Sequence, residues 1–158
     1  MTARDLKLNA LVLIAIGSPE EQEEGRNVLR MLRDGHYPEP TLENTVDALM
    51  EEFCATEGRL CFQMIRTALI QIYRNPALMD CLSSGIYKLL GEIYHTGYAE
   101  AGRNIHRGIE IIYRQGDSRK LDKFFQHQLS AITGLPTPYN FLRRCLQELR
   151  MRMDVSVE

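Results

Sequence analysis

Residues 59–74, RLCFQMIRTALIQIYR, decide how the rest of this chain must fold. Wound at about 100° per residue, Cys61, Phe62, Met64, Ile65, Ala68, Leu69, Ile72 and Tyr73 fill one continuous half of a helix. Arg59, Gln63, Arg66, Thr67, Gln71 and Arg74 occupy a narrower strip opposite, interrupted by Leu60 and Ile70. So little polar surface predicts a central helix, buried by neighbours and reaching water along one edge.

The neighbours read as helices too, and nothing reads as a strand. Thr2 with Asp5 caps a predicted helix of about 3–16, whose run Leu11–Ile16 is apolar all round and therefore belongs inside the bundle or in an interface. Ser18-Pro19-Glu20-Glu21 combines an N-cap, a proline at the first helical position and a capping box. That helix ends before Gly35, and the prolines of 36–40, HYPEP, make a loop. Thr41 caps a helix predicted over 42–57. Asn75-Pro76 opens a short one to about 82, and the stripe Ile86, Leu89, Leu90 and Ile93 carries another to about His95. Gly97 precedes a helix of 98–115. Asp117 caps one predicted over 118–133 with Leu121, Phe124, Phe125, Leu129 and Ile132 inward. Thr137-Pro138 opens the last, 138–153, and 154–158 is expected to fray. The expectation is a single all-α domain over 1–158, a compact bundle of about seven or eight helices around 59–74.

The chain has 158 residues, enough for one domain, and 44% hydrophobic with 25% charged residues is a globular composition. Its longest apolar run falls far short of the ~20 residues a membrane span needs. No secretory leader is evident, which predicts a cytoplasmic or nuclear protein without a membrane partner. Cys54, Cys61, Cys81 and Cys145 form no metal-binding spacing and fall on apolar helix faces, so reduced core thiols are expected at all four.

Net charge of −2 conceals an asymmetry. Residues 1–58 carry 5 Lys/Arg against 12 Asp/Glu; residues 59–158 carry 14 against 9. Such polarity suits an anionic partner for the basic part, or attraction between copies.

Catalytic signatures are absent: no glycine-rich phosphate loop, no nucleophile elbow, no paired metal-ligand motif. Glu92 and His95 form one E-x-x-H pair, where a di-iron bundle needs two, so neither metal nor cofactor is expected. An enzyme would have to assemble its site from distant residues around His95 and His106. His106 and Glu110 sit four apart on one helix face, in reach of each other.

Basic strips are the better functional material. Arg103, Arg107 and Arg114 lie within about 40° of one another on the 98–115 helix. Arg143, Arg144 and Arg150 face away from the apolar stripe of 138–153, and Arg59, Arg66 and Arg74 edge the central helix. Arginine rather than lysine suits bidentate contacts to phosphate or carboxylate. These nine arginines are the candidate contacts to an anionic partner. Two readings compete: a non-enzymatic, self-associating regulatory protein that docks a protein partner through helix faces, and an RNA- or DNA-binding protein that uses its arginine-lined helices.

Overall fold

The computed structural model describes residues 3–33 and 41–155. They form eight α-helices, and the described residues contain no β-strand beyond one isolated antiparallel bridge, Leu129 to Pro136. None of these helices is long and apolar enough to cross a membrane. The chain divides into two compact units, Leu42–Arg150 and a second one made of Met1–Thr41 with Met151–Glu158.

In the smaller unit, α1 (Ala3–Ile16) and α2 (Pro19–Arg33) form a helical hairpin. The expected capping box is present: the Glu21 amide donates to Ser18 Oγ at 3.3 Å, and the Ser18 amide donates to Glu21 Oε2 at 2.9 Å. Gly25 lets the two helices touch, since a Cβ there would lie 2.6 Å from the Ala10 carbonyl oxygen. The predicted Thr2 cap and the 36–40 loop lie outside the described residues.

The larger unit contains α3 (Leu42–Glu52), α4 (Leu60–Arg74), a 3-10 turn at Pro76–Met79, α5 (Ile86–Tyr94), α6 (Tyr98–Gln115), α7 (Ser118–Phe125) and most of α8 (Pro138–Val155). Helix α4 is the centre that its periodicity predicts. It packs against α3, α5 and α6, with Ile65, Ala68, Leu69 and Ile72 wholly buried. Burying four such apolar side chains contributes on the order of 1.5–3 kcal/mol each for the larger ones. Glycine allows α6 to approach: a Cβ on Gly108 would meet Ile65 Cδ1 at 2.5 Å. Phe53, Phe124, Phe125 and Phe141 close a second part of the core, with the Phe125 and Phe141 rings stacked at 5.2 Å and 21°.

Five sequence expectations need correction, the first being the short helix expected from Pro76 to about 82, which is a 3-10 helix that ends at Met79. Helix α3 stops at Glu52, not 57, because Cys54 takes the left-handed conformation (φ 58°). The Ala55 amide then reaches the Met50 carbonyl and the Cys54 amide that of Glu51, both at 2.9 Å, which closes the helix as a Schellman motif. Helix α7 stops at Phe125, not 133. Gln126 leaves the helical region (φ 40°), Ser130 Oγ accepts from the Ile132 amide at 3.2 Å, and Gly134 sits at φ 69°. A serine that captures local backbone donors competes with helix, and Ile132 ends 96% exposed rather than in the core. Among the cysteines, Cys61 and Cys145 are buried thiols, but Cys54 and Cys81 are exposed. At the C-terminus α8 continues through Val155, so the first two residues of the expected frayed tail are helical and the others lie outside the described residues.

Candidate nucleic-acid interface

Helices α5 and α6 are joined by three residues, His95-Thr96-Gly97. His95 ends α5 in the left-handed region (φ 57°, ψ 47°), and the Thr96 amide donates to the Gly91 carbonyl at 2.8 Å. The turn folds so closely over α5 that a Cβ on Gly91 would lie 2.6 Å from the Thr96 carbonyl oxygen. One turn into α6, Gly102 accepts the Tyr87 ring, which a Cβ would approach to 2.9 Å. Burial there pushes the Tyr87 phenol up to about 12. Two helical glycines, each costing up to ~1 kcal/mol against alanine, are thus explained by backbone and ring contacts that a side chain would block.

The pair is fastened to the central helix. Tyr94, the last residue of α5, places its hydroxyl 2.7 Å from Thr67 Oγ1 and 3.2 Å from the Gln63 carbonyl oxygen, both on α4. On the inner side of α6, Ala101, Ile105, Gly108, Ile109 and Ile112 are buried. Its outer side exposes Ala99, Glu100, Arg103, His106, Arg107 and Arg114, and Tyr98 at its start is 58% exposed. Gly97 caps α6 without a side-chain hydrogen bond, so no capping side chain screens the partial positive charge at the start of the helix.

The nine predicted arginines separate by environment. On α4, Arg66 makes a two-pronged contact to Asp47 at 2.5 and 3.2 Å, Arg74 meets Glu43 at 2.5 Å, and Arg59 meets Glu57 at 2.7 Å. The Asp47 carboxylate raises the Arg66 pKa further, so this cation is matched within the fold. Arg144 is half-buried. It donates to the Phe124 carbonyl at 3.0 Å, meets Glu148 at 3.2 Å, and lies 4.0 Å above the centre of the Phe124 ring. Arg143 and Arg150 are exposed on α8, and Arg114 is exposed at the end of α6. Arg103 pairs with Glu100 at 2.7 Å while both remain largely in water; Arg107 has no ion-pair partner among the described residues. His106 contacts Glu110 at 3.0 Å.

The structure therefore brings Arg103, Arg107 and Arg114 together with His106 on one solvent-facing side of α6. The expected helix boundaries around 95–98 hold, but their role as a tight two-helix motif was not read from the sequence. Its signal is the three-residue connection combined with Gly91 inside α5.

Two packed helices joined by a three-residue turn, the second presenting a polar outer face, share the connection length of a helix-turn-helix motif. Residues 46–149 match the family described as Sporulation initiation factor Spo0A C terminal, and the chain belongs to that family. This is the helical, DNA-binding domain of a sporulation transcription factor, a regulatory and not a catalytic domain. Membership supports the nucleic-acid reading over the protein-partner reading, with DNA rather than RNA as the acid. It also removes the enzyme considered around His95 and His106. The matched residues fall inside the larger unit.

Proposed function

We propose that this chain is a DNA-binding regulator in which α6 enters the major groove and α5 lies across the backbone. The carrying observation is the two-sided character of α6: isoleucines fix its inner side to α4, while Arg103, His106 and Arg107 stand free of the core on the other. A major groove about 12 Å wide admits one α-helix, and the residues near the start of a recognition helix reach the base edges. Arg103 and Arg107, about 6 Å apart along the axis, suit bidentate contacts to guanine O6 and N7. Glu100 holds the Arg103 guanidinium toward the start of α6 before DNA arrives. Arg114, and Arg119, Lys120 and Lys123 on α7, supply cations of the kind that meet phosphates.

In this reading Arg59, Arg66, Arg74 and Arg144 serve the fold, and Arg143 and Arg150 lie outside the contact. Fluorescence anisotropy on DNA sites selected from a random pool tests it. Arg103→Ala and Arg107→Ala each should cost about 1–3 kcal/mol and relax the base preference at one position. Arg143→Ala and Arg150→Ala should bind as the parent does. A chain that forms no complex at low salt, or that binds equally well without both α6 arginines, overturns the reading.

A further inference from the structure

The hairpin α1–α2 precedes the residues that match the family, and α1 carries two apolar stripes rather than one. Leu6, Ala10, Leu13 and Ile14 lie on one side of α1, and Ala10, Leu13 and Ile14 approach Gly25 of α2. Leu8, Leu11, Val12, Ala15 and Ile16 recur at i, i+3, i+4, i+7 and i+8, the spacing of a core-facing helix, on the opposite side. Yet they face water: Leu8 is 52% exposed, Leu11 44%, Val12 53% and Ile16 82%. Isolated surface hydrophobes need no explanation, but a contiguous five-residue stripe does.

Charge identifies what covers it. The hairpin is an electric dipole along its length. At the end bearing the α1–α2 connection stand Glu20, Glu21 and Glu24. Among the described residues the other end carries Arg4, Lys7, Arg30 and Arg33 with Asp5, while Glu23 and Arg26 pair with each other at 3.2 Å between the two ends. Two such hairpins related by a two-fold axis and laid antiparallel bring the acidic end of each beside the basic end of the other. A parallel arrangement sets like charges together. The stripe is self-complementary in the same way, since a two-fold axis places one patch on itself.

We propose that the α1 stripe is a homodimer interface, in which α1 of one copy packs antiparallel on α1 of a second and the two hairpins form a four-helix bundle. Sedimentation velocity of the full chain without DNA, across a wide concentration range, tests this. The expected result is a monomer–dimer equilibrium that Val12→Glu or Ile16→Glu weakens by about a hundredfold, as a buried unpaired charge does. Far-UV circular dichroism should show unchanged helix content, because both residues are exposed in the monomer. A charge-swap arm uses surface residues alone. Glu20 and Glu24 changed to Lys weaken the dimer, and the same variant with Arg4 and Arg30 changed to Glu regains it. A strict monomer at every concentration, a dimer indifferent to Val12→Glu and Ile16→Glu, or a swap that restores nothing overturns the proposal.

Discussion

The Tyr94 hydroxyl and Thr67 Oγ1 share a hydrogen bond of 2.7 Å that joins the last turn of α5 to the middle of α4. The same hydroxyl donates to the Gln63 carbonyl oxygen at 3.2 Å, so one phenol holds the two-helix motif to the central helix at two points. Tyr94→Phe removes both bonds while keeping the ring. It should lower stability by about 1 kcal/mol, within the range of net hydrogen-bond contributions. Thr67→Val leaves the Tyr94–Gln63 bond in place and should cost less. Chemical denaturation of the two variants checks the order.

Arg144 should behave as a structural residue, unlike its neighbour in sequence. Its guanidinium covers the Phe124 ring and satisfies the Phe124 carbonyl oxygen. Arg144→Ala should cost about 1–2 kcal/mol through the lost cation–π contact and the unsatisfied carbonyl. Arg144→Lys should restore only part, lacking the planar fork. Arg143→Ala, on an exposed face, should fall within about 0.5 kcal/mol of the parent. Thermal unfolding separates the pair.

Cys54 (φ 58°) and His95 (φ 57°) both hold a positive φ of the kind that favours glycine. Replacing either by glycine should stabilise the fold by about 0.5–1 kcal/mol, the relief of strain being offset in part by a freer unfolded chain. His95→Gly should leave DNA affinity unchanged if the turn keeps its path. Denaturation midpoints and anisotropy read the two effects.

Tyr113 supplies a further case. Its hydroxyl is buried and has no hydrogen-bond partner among the described residues, and burial with the nearby Asp122 raises its pKa. A buried unpaired donor is a liability, so Tyr113→Phe should be neutral or stabilising by about 1 kcal/mol. A loss of more than that amount would mean that the hydroxyl is satisfied in solution.

Cys81 differs from an ordinary surface thiol. Hydrogen bonds from Ser84 stabilise its thiolate and draw its pKa below the usual thiol value. Its alkylation rate should therefore reach half-maximum at a lower pH than that of a model thiol, and Ser84→Ala should move the midpoint upward. Rate against pH with a mass-spectrometric readout of Cys81 makes the measurement.

How much of this was legible from the chain depends on what fixes each element. The centrality of α4 was legible, because eight apolar positions at helical spacing leave a helix no other place. The Ser18 capping box and the starts at Gly97 and at Thr137, whose Oγ1 accepts from the Asn140 amide at 3.2 Å, were legible as well, whereas Asn75 makes no side-chain cap bond and precedes only a 3-10 helix. The ends of α3 and α7 were not. Phe53 is buried just past the end of α3, and Leu129 and Ile132 continue the periodicity of α7, but Cys54 and Gln126 end the helices at positive φ and Ser130 Oγ captures a local amide, none of which periodicity reveals. For the arginines, residue type marked all nine equally. Only pairing in space separates Arg66, matched by Asp47 from 19 positions away, from Arg107, which has no such match.

The contact between Gly91 and the Thr96 carbonyl oxygen sets how α6 leaves α5. Both groups are backbone, so the departure angle has no rotamers to sample and no long side chain to fluctuate. Under the proposed reading, α6 is thereby aimed when the chain folds, and little of its orientational freedom remains to be lost on meeting a duplex. Discrimination between sequences would then fall to side chains such as Arg103 and Arg107 at the tip of a fixed wedge, whose replacement leaves the angle at which the wedge is held undisturbed.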